Sequence, residues 1–204
     1  MELIETRTAL SLIFILAVAL FLLRRYVQNP FKATLTKASQ GDAEAQYKMG
    51  QFFYTGKYTQ KDVKQAFNWF STAAHNGHIR SQVALAGLYN AGVGCEQNFK
   101  HCFKWYERAA QTGDYEARIN LAVCYLKGIG TQQDEQKGFE IMKKAADEKS
   151  PLAQTLLGDL YEKGTGVTQD KNLAMKYYIL AAKQGEPFAK KRIEAWQQQK
   201  NPQL

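Results

Sequence analysis

The sequence has few residues of the kinds that build reactive or metal-binding sites. Its 204 residues include three cysteines and three histidines, and no two cysteines form a CxxC pair. Lysines and arginines are scattered without a long basic block, although the net charge is +8. Nucleic-acid binding is therefore disfavoured, because such proteins cluster their positive charge. The positive balance still favours an anionic membrane surface or an acidic partner.

One long apolar run lies near the N-terminus. Residues 8–23 carry no charge, and as a helix they would span ~24 Å, somewhat less than the ~30 Å of a hydrocarbon core. Arginines at both ends can extend the span by snorkelling. The leader carries two glutamates and the run lacks a small-residue cleavage site, which disfavours a cleaved secretory signal. We therefore predict a tail over 1–7, a transmembrane anchor over 8–25 and a linker over 26–30.

The charges around this run predict its orientation. Arg24, Arg25, Lys32 and Lys37 follow the run, whereas Arg7 alone precedes it. Positive charge accumulates on the cytoplasmic side of membrane spans. The expectation is a single-pass membrane protein with its N-terminus outside and its folded part in the cytoplasm.

The rest of the sequence repeats with a period of 36 residues. Gly56, Gly92, Gly128 and Gly164 are each separated by that number, and the rows align without gaps. The same period relates four alanine pairs and two apolar positions: Ala73-Ala74, Ala109-Ala110, Ala145-Ala146 and Ala181-Ala182; Met49, Leu85, Leu121 and Leu157; Phe53, Tyr89, Tyr125 and Tyr161. A period of this length indicates small units that bury a shared core by stacking.

Each unit is predicted to contain two helices, A and B, because apolar residues recur in it with helical spacing. Residues that cap helices precede both of them. They are Asp42, Asp114 and Ser150 before helix A, and Asp62, Asn98, Asp134 and Asp170 before helix B. Glycines are placed to end helix B in the left-handed conformation, except that Lys149 takes this position once. The A–B turn reads Gly-x-Gly in three units but Gly56-Lys-Tyr58 in the first, so the first turn is expected to differ.

The string AQTLLGDLYEKGTGVTQDKNLAMKYYILAAKQG at 153–185 resembles the Sel-one-like repeat (SLR), a relative of the tetratricopeptide repeat. The resemblance implies an all-α fold, a right-handed α-solenoid of helix-turn-helix repeats, and an adaptor role. We expect this solenoid to follow the one transmembrane helix. Its parts are expected to be a half-repeat helix over 31–40, repeats over 41–76, 77–112, 113–148 and 149–184, a capping helix over 185–200, and a tail over 201–204.

Residues that could suggest chemistry have structural explanations. Asp62, Asp134 and Asp170 share their position with Asn98, so capping explains them better than acid/base catalysis does. The Gly-x-Gly turns follow a helix, whereas phosphate-binding loops follow a strand. No nucleophile, base and orienting group are arranged as a set. We therefore predict no enzyme activity, no catalytic residues and no cofactor.

The cysteines and histidines also lack the spacing of a zinc site, so no metal is predicted. Cys102 takes a repeated alanine position and Cys124 a repeated apolar position, which places both in the core. They could lie near each other across units, and a disulfide between them is disfavoured in a cytoplasmic setting. The odd number of cysteines leaves the redox state of Cys95, Cys102 and Cys124 open. His75 and His78 are expected to be solvated at a glycine turn.

Partner-binding residues are expected at exposed A-helix positions that vary in chemistry, namely those of residues 44, 48, 51 and 55 in each unit. The resemblance implies that the A helices line a concave groove. The candidates are Lys48, Gln51, Arg80, Glu116, Asn120, Val123, Leu152, Leu156, Asp159 and Phe188. Four of these form an apolar patch towards the C-terminus: Val123, Leu152, Leu156 and Phe188. The alternative is that these side chains only fill contacts between repeats.

The sequence thus predicts a membrane-anchored scaffold or adaptor that binds a protein or peptide partner through the groove of a helical-repeat solenoid. No nucleic acid or small-molecule substrate is expected. One alternative is a periplasmic or cell-surface interaction module facing cell-wall components or a host partner. A second is a hydrolase, because some members of the resembling family are credited with that activity, but the residues offer no site for it.

Overall fold

The computed structural model describes residues 15–18 and 30–200, and every regular element in these ranges is helical. Ten helices follow one another from Pro30, and each packs against the next. They are α1 (Pro30–Ser39), α2 (Ala43–Thr55), α3 (Val63–His75), α4 (Ile79–Ala91), α5 (Phe99–Ala110), α6 (Tyr115–Lys127), α7 (Glu135–Asp147), α8 (Pro151–Lys163), α9 (Lys171–Lys183) and α10 (Pro187–Lys200). The prediction of an all-α repeat solenoid is confirmed. Helices α2, α4, α6 and α8 are the A helices, and α3, α5, α7 and α9 are the B helices.

The predicted membrane anchor lies outside the described residues, except for 15–18, which are helical. The tails predicted over 1–7 and 201–204 lie outside them as well. Within the part of the chain that the structure describes, no helix is both long and apolar enough to cross a membrane. The anchor therefore stays a prediction.

The predicted helix caps are confirmed. Asp42, Asp114 and Ser150 each accept a hydrogen bond from the backbone N–H three residues later, at the start of an A helix. The four B helices begin in the same way, at Asp62, Asn98, Asp134 and Asp170. These side chains satisfy N–H groups that have no partner within the helix. The repeated aspartates therefore have a structural role at the helix ends.

His78 fills the remaining cap position, and the prediction that it is solvated is wrong. Its side chain is only 15% exposed. Its Nδ1 accepts from the Ser81 backbone N–H at 3.2 Å, and its Nε2 lies 3.0 Å from Glu44 Oε2. The ring also stacks on Tyr47 with centroids 4.6 Å apart. The hydrogen bond from His78 and the nearby Lys48 ammonium hold the pKa of Glu44 below its ordinary value. His78 thus joins the first two repeats.

The second glycine of the A–B turn is required by contact with the preceding repeat. Gly94 has φ of 74°, and a Cβ added there would overlap the carbonyl oxygen of Val63, the first residue of α3. Gly130 and Gly166 meet the first residues of α5 and α7 in the same way. A side chain at these positions would therefore force neighbouring repeats apart.

The first A–B turn was expected to differ, and this expectation is wrong for the backbone. Tyr58 has φ of 68°, close to the 74°, 70° and 69° of Gly94, Gly130 and Gly166. The Tyr58 ring packs edge-on against Phe52 at 5.0 Å. Left-handed backbone is costly for a residue with a Cβ, so the fold imposes this turn on an unfavourable residue. The same holds for Lys149, whose predicted left-handed conformation is confirmed at φ of 66°.

An aromatic ladder joins each B helix to the next A helix. Phe67 meets Tyr89, Phe103 meets Tyr125, and Phe139 meets Tyr161, each with centroids 5.3 Å apart and rings nearly perpendicular. Phe31 of α1 meets Phe53 of α2 in the same register at 5.8 Å. Edge-to-face pairs of this kind contribute about 0.5–1.5 kcal/mol each beyond the area they bury.

Helices A and B of one repeat pack closely because a small residue on A receives a large side chain from B. A Cβ on Gly50 would lie 2.6 Å from the ring of Phe70, and one on Gly158 would lie 2.6 Å from the ring of Tyr178. The sequence predicted that these glycines let backbones approach each other. The structure shows that both glycines accommodate a ring, and that Gly158 also lies close to the backbone of the B helix, because a Cβ there would stand 3.2 Å from the Ala174 carbonyl oxygen.

A glutamine links three helices at two of the junctions between repeats. Gln46 donates to the Ala38 carbonyl at 3.1 Å and accepts from Asn76 at 2.8 Å. Gln154 makes the equivalent bonds to Ala146 and Gln184. At the second repeat Gln82 donates to Ala74, but its Oε1 is buried without a partner among the described residues. The residue aligned with Asn76 there is Thr112, whose hydroxyl donates to Ala109 instead.

Replacing Thr112 by asparagine should stabilise the protein. The new amide would reach Gln82 Oε1 as Asn76 reaches Gln46, and satisfying a buried acceptor contributes about 1 kcal/mol. For a protein of this size the melting temperature should rise by about 2–4 °C in thermal denaturation. Thr112→Val, which adds no donor, is the matched control. An unchanged melting temperature for Thr112→Asn would contradict the assignment.

Replacing Gly94 by alanine should cost more stability than replacing Gly77 by alanine. Both glycines have positive φ, at 74° and 85°, but an added Cβ meets the Val63 carbonyl at Gly94 and nothing within 4 Å at Gly77. Overpacking typically adds about 1–3 kcal/mol. Urea denaturation followed by circular dichroism measures the difference. Equal losses for the two variants would refute the contact between repeats.

Candidate functional site

The candidate site is the groove face, which we define as the positions of residues 44, 48, 51 and 55 and their equivalents along the A helices and α10. All ten predicted partner-binding residues lie on these helices, and none of them is buried. The exposed ones are Lys48, Gln51, Arg80, Glu116, Leu152 and Phe188; the half-buried ones are Asn120, Val123, Leu156 and Asp159. Their role in binding stays a prediction.

Several groove-face residues bond only within their own helix. Lys48 pairs with Glu44 at 3.2 Å, Gln51 donates to the Tyr47 hydroxyl at 3.0 Å, and Asn120 donates to the Glu116 carbonyl at 2.9 Å. Such local contacts on an exposed surface are worth little to stability. These side chains can exchange them for contacts with a partner.

Asp159, by contrast, already serves the structure. It accepts from the Tyr178 hydroxyl at 2.7 Å and pairs with Arg192 of α10 at 2.9 Å. Burial, together with the carboxylates of Asp159 and Glu162, raises the pKa of Tyr178. The hydrogen bond to Asp159 raises the pKa of Arg192. Asp159 therefore holds the capping helix against the last repeat.

The predicted apolar patch divides into two kinds of residue. Val123 and Leu156 pack against the core cluster of the third and fourth repeats, as the alternative of contacts between repeats expects. Leu152 and Phe188 are 41% and 63% exposed. Only the latter two are free to contact a partner without disturbing the core.

An apolar hollow of about 330 Å³ lies elsewhere on the groove face, between α2 and α4. Its lining comes from both helices, from α3 and from the turn after α4. The residues are Tyr54, Phe70, Ala84, Gly87, Leu88, Ala91 and Val93. Ala84, Gly87 and Ala91 take three of the four groove-face positions of α4, and their small side chains leave the space open. None of the residues that line this hollow was among the partner-binding residues predicted from the sequence. The three small residues in successive groove-face positions of α4 were a signal in the sequence that could have indicated it.

Tyr106 of α5 places its hydroxyl close to Gly87 of α4. The oxygen lies 3.7 Å from where a Cβ on Gly87 would stand. In the fourth repeat the aligned Tyr178 bonds to Asp159, but Gly87 offers no equivalent acceptor, and the hydroxyl of Tyr106 has no hydrogen bond among the described residues. Burial, followed by the nearby thiols, raises the pKa of Tyr106. The hydroxyl is therefore a protonated donor beside Gly87.

Two of the three cysteines are core residues. Cys102 and Cys124 are buried and all three thiols are free, so the predicted core positions of both are confirmed. A hydrogen bond between these two thiols, together with burial, raises the pKa of Cys102. Within the described ranges, no group of histidine, cysteine, aspartate or glutamate side chains could hold a metal ion.

Comparisons with known proteins place these features in a family. The model of the Sel1 repeat matches four times, at residues 43–78, 79–114, 116–150 and 151–186. No curated protein matches the chain. Sel1 repeats typically mediate protein–protein interactions, and the fold is typically a non-enzymatic module.

Solved structures agree with this assignment. A protective antigen of uropathogenic Escherichia coli with an SLR fold is 31% identical over 83% of this chain, with a TM-score of 0.76. A Sel1 repeat protein from Oxalobacter formigenes is 29% identical over 75% of the chain, with a TM-score of 0.71. A Pseudomonas aeruginosa protein shares the fold with a TM-score of 0.56. It is 22% identical, and the match covers 76% of this chain and 58% of that protein's chain. The chain spans 36% of the first protein's length and 63% of the second's. With four matched repeats covering more than half of its length, the chain belongs to the Sel1 repeat family.

Proposed function

We propose that this chain is a membrane-anchored scaffold that binds a protein or peptide partner along its groove face. The observation that carries this proposal is the apolar hollow between α2 and α4, which opens on the groove face of a repeat array. Exposed Leu152 and Phe188 add apolar surface near the C-terminal end of the array. Apolar pockets among polar positions are how helical grooves hold peptide side chains. We assign no enzyme activity to the chain.

The membrane part of the proposal rests on the uncharged run over 8–23. Its described residues agree with this role: Ile15, Leu16 and Val18 are helical and exposed at 62%, 64% and 40%. A helix that presents such side chains outward suits a lipid environment. The positive charges after the run favour repeats on the cytoplasmic side.

A second candidate is an exported module whose repeats face a wall component or a host partner. The observation that favours it is the likeness to the Escherichia coli protein, which is described as a protective antigen. Both candidates use the same groove face for a protein partner. They differ in the side of the membrane on which the repeats lie.

The topology can be measured directly. With the full chain carrying an alkaline phosphatase or a green fluorescent reporter at its C-terminus in a bacterial host, we expect fluorescence and no phosphatase activity. Changing Arg24 and Arg25 to glutamate should weaken this preference, since the rule counts positive charge close to the span. Phosphatase activity from the native chain would favour the exported candidate.

Partner binding can be tested by affinity capture from membranes with the full chain. Leu152→Glu and Phe188→Glu should each reduce partner recovery by roughly tenfold or more, because each removes an apolar contact and adds a charge. Leu156 is unsuitable because it packs against the core. Ile179→Glu on α9, also 41% exposed but off the groove face, is the matched control. Equal recovery with all variants would argue against this part of the groove.

A further inference from the structure

We propose that the exposed face of the B helices lies against anionic lipid headgroups. We define this B face as the positions of residues 64, 68, 72 and 75 on α3 and their equivalents on α5, α7 and α9. The inference rests on the membrane part of the proposed function and adds to it a second surface with a ligand of its own. Exposure, charge and apolar side chains each contribute to it.

The B face is an exposed stripe that recurs in every repeat. Its positions are spaced four, four and three residues apart, which places them on one side of a helix. All sixteen of its residues are exposed. Their side chains are therefore available to a ligand without any change in the packing of the repeats.

Positive charge is concentrated on the B face. Seven of its residues are basic and two are acidic, whereas the sixteen groove-face residues of the four A helices include four basic and three acidic ones. The basic residues of the B face are Lys64, Lys100, Lys104, Arg108, Lys144, Lys176 and Lys183, and the acidic ones are Glu140 and Asp147. The excess of positive charge is thus five on the B face and one on the groove face.

The basic residues of the B face have no anionic partner within the described part of the chain, because the ion pairs found there involve other residues. On α5, Lys100, Lys104 and Arg108 also follow one another at four-residue spacing. Like charges at this spacing destabilise a helix. An external anionic surface would relieve this repulsion.

Apolar side chains are exposed among these charges on α9. Leu180 belongs to the B face and is 38% exposed, and Ile179 beside it is 41% exposed. Lys176 and Lys183 flank them. Basic side chains that reach headgroups while neighbouring apolar side chains enter the interface are typical of surfaces that lie on a membrane. A nucleic acid would pair with the lysines but leave Ile179 and Leu180 in water, so lipid accounts for both features.

A bilayer also suits the spread of the charges. Its anionic headgroups offer negative charge at every point of a surface, and basic residues near that surface contribute to binding one by one. The seven basic residues are distributed over four helices, which matches an extended surface better than a compact ligand.

The test reconstitutes the full chain into lipid nanodiscs and measures quenching of a bimane label by a headgroup-spin-labelled lipid. The label is attached after Thr72→Cys on the B face or, as the matched control, after Thr55→Cys on the groove face. Both threonines are exposed and donate to the carbonyl four residues earlier. Cys95→Ser removes the native thiol that is not buried. With anionic lipid we expect strong quenching of the B-face label and little of the groove-face label, and neutral lipid should quench neither.

Charge reversal tests the electrostatic contribution. Lys100→Glu combined with Lys104→Glu should lower the equilibrium constant for lipid contact by roughly tenfold or more, because two attractive charges become repulsive. Lys127→Glu combined with Lys163→Glu makes the same change of charge on the groove face and should leave the quenching unchanged. Circular dichroism melting verifies that both variants keep their fold.

Salt and an apolar substitution complete the test. Raising the salt from about 0.1 M to about 1 M shortens the screening length from about 10 Å to about 3 Å, so quenching of the B-face label should fall. Leu180→Ser should weaken the contact as well, whereas Leu152→Ser, a substitution of similar exposure on the groove face, should not.

Equal quenching of the two labels in anionic discs would overturn the inference. So would quenching that is the same in neutral discs, or that persists in full when Lys100 and Lys104 are reversed. A B-face label that responds to poly-glutamate but not to lipid would assign this face to an acidic protein instead.

The anchor is judged separately, by elution of the chain together with neutral discs. Such elution without quenching of the B-face label in anionic discs would keep the anchor and remove this inference. Failure to elute with neutral discs, with the B-face contact in anionic discs retained, would remove the anchor and keep this inference.

Discussion

The structure depends on the junction where a B helix meets the next A helix. The aromatic ladder brings Phe67, Phe103 and Phe139 edge-on to tyrosines of the following repeat. At the same junctions the first carbonyl of the B helix lies against a glycine that has no Cβ to separate the two helices. Because no repeat buries a core alone, these contacts convert a series of helical hairpins into one array.

The same junctions account for the groove face. Large side chains of the B helices fill the core below the A helices. The space between two neighbouring A helices on the groove face therefore depends on groove-face side chains that the core does not require. Asn120, Val123 and Leu156 fill that space in the later repeats. Ala84, Gly87 and Ala91 leave it open in the second repeat. A binding site can therefore differ from repeat to repeat without a change in the fold.

Charge and apolar surface are distributed unevenly along the array. The capping helix is held by Asp159 and Arg192 and presents lysines and glutamines, as a terminal unit that must face water should. The apolar hollow lies towards the N-terminal end, nearer to the run that we propose enters the membrane.

The helical repeats, the caps at both kinds of helix and the left-handed residue at Lys149 could all be predicted from the amino-acid sequence. These features depend on local backbone preferences and on the periodic burial of apolar residues. Both act within one repeat, and the same sequence pattern recurs in the next repeat. Contacts between repeats, which the sequence pattern does not reveal, make Tyr58 adopt a glycine-like turn, shield His78 where it bridges two repeats, and let Asp159 hold the capping helix. The tertiary structure also placed the hollow at Gly87 rather than at Leu156, because the space at a groove position depends on side chains from three helices that are distant in sequence.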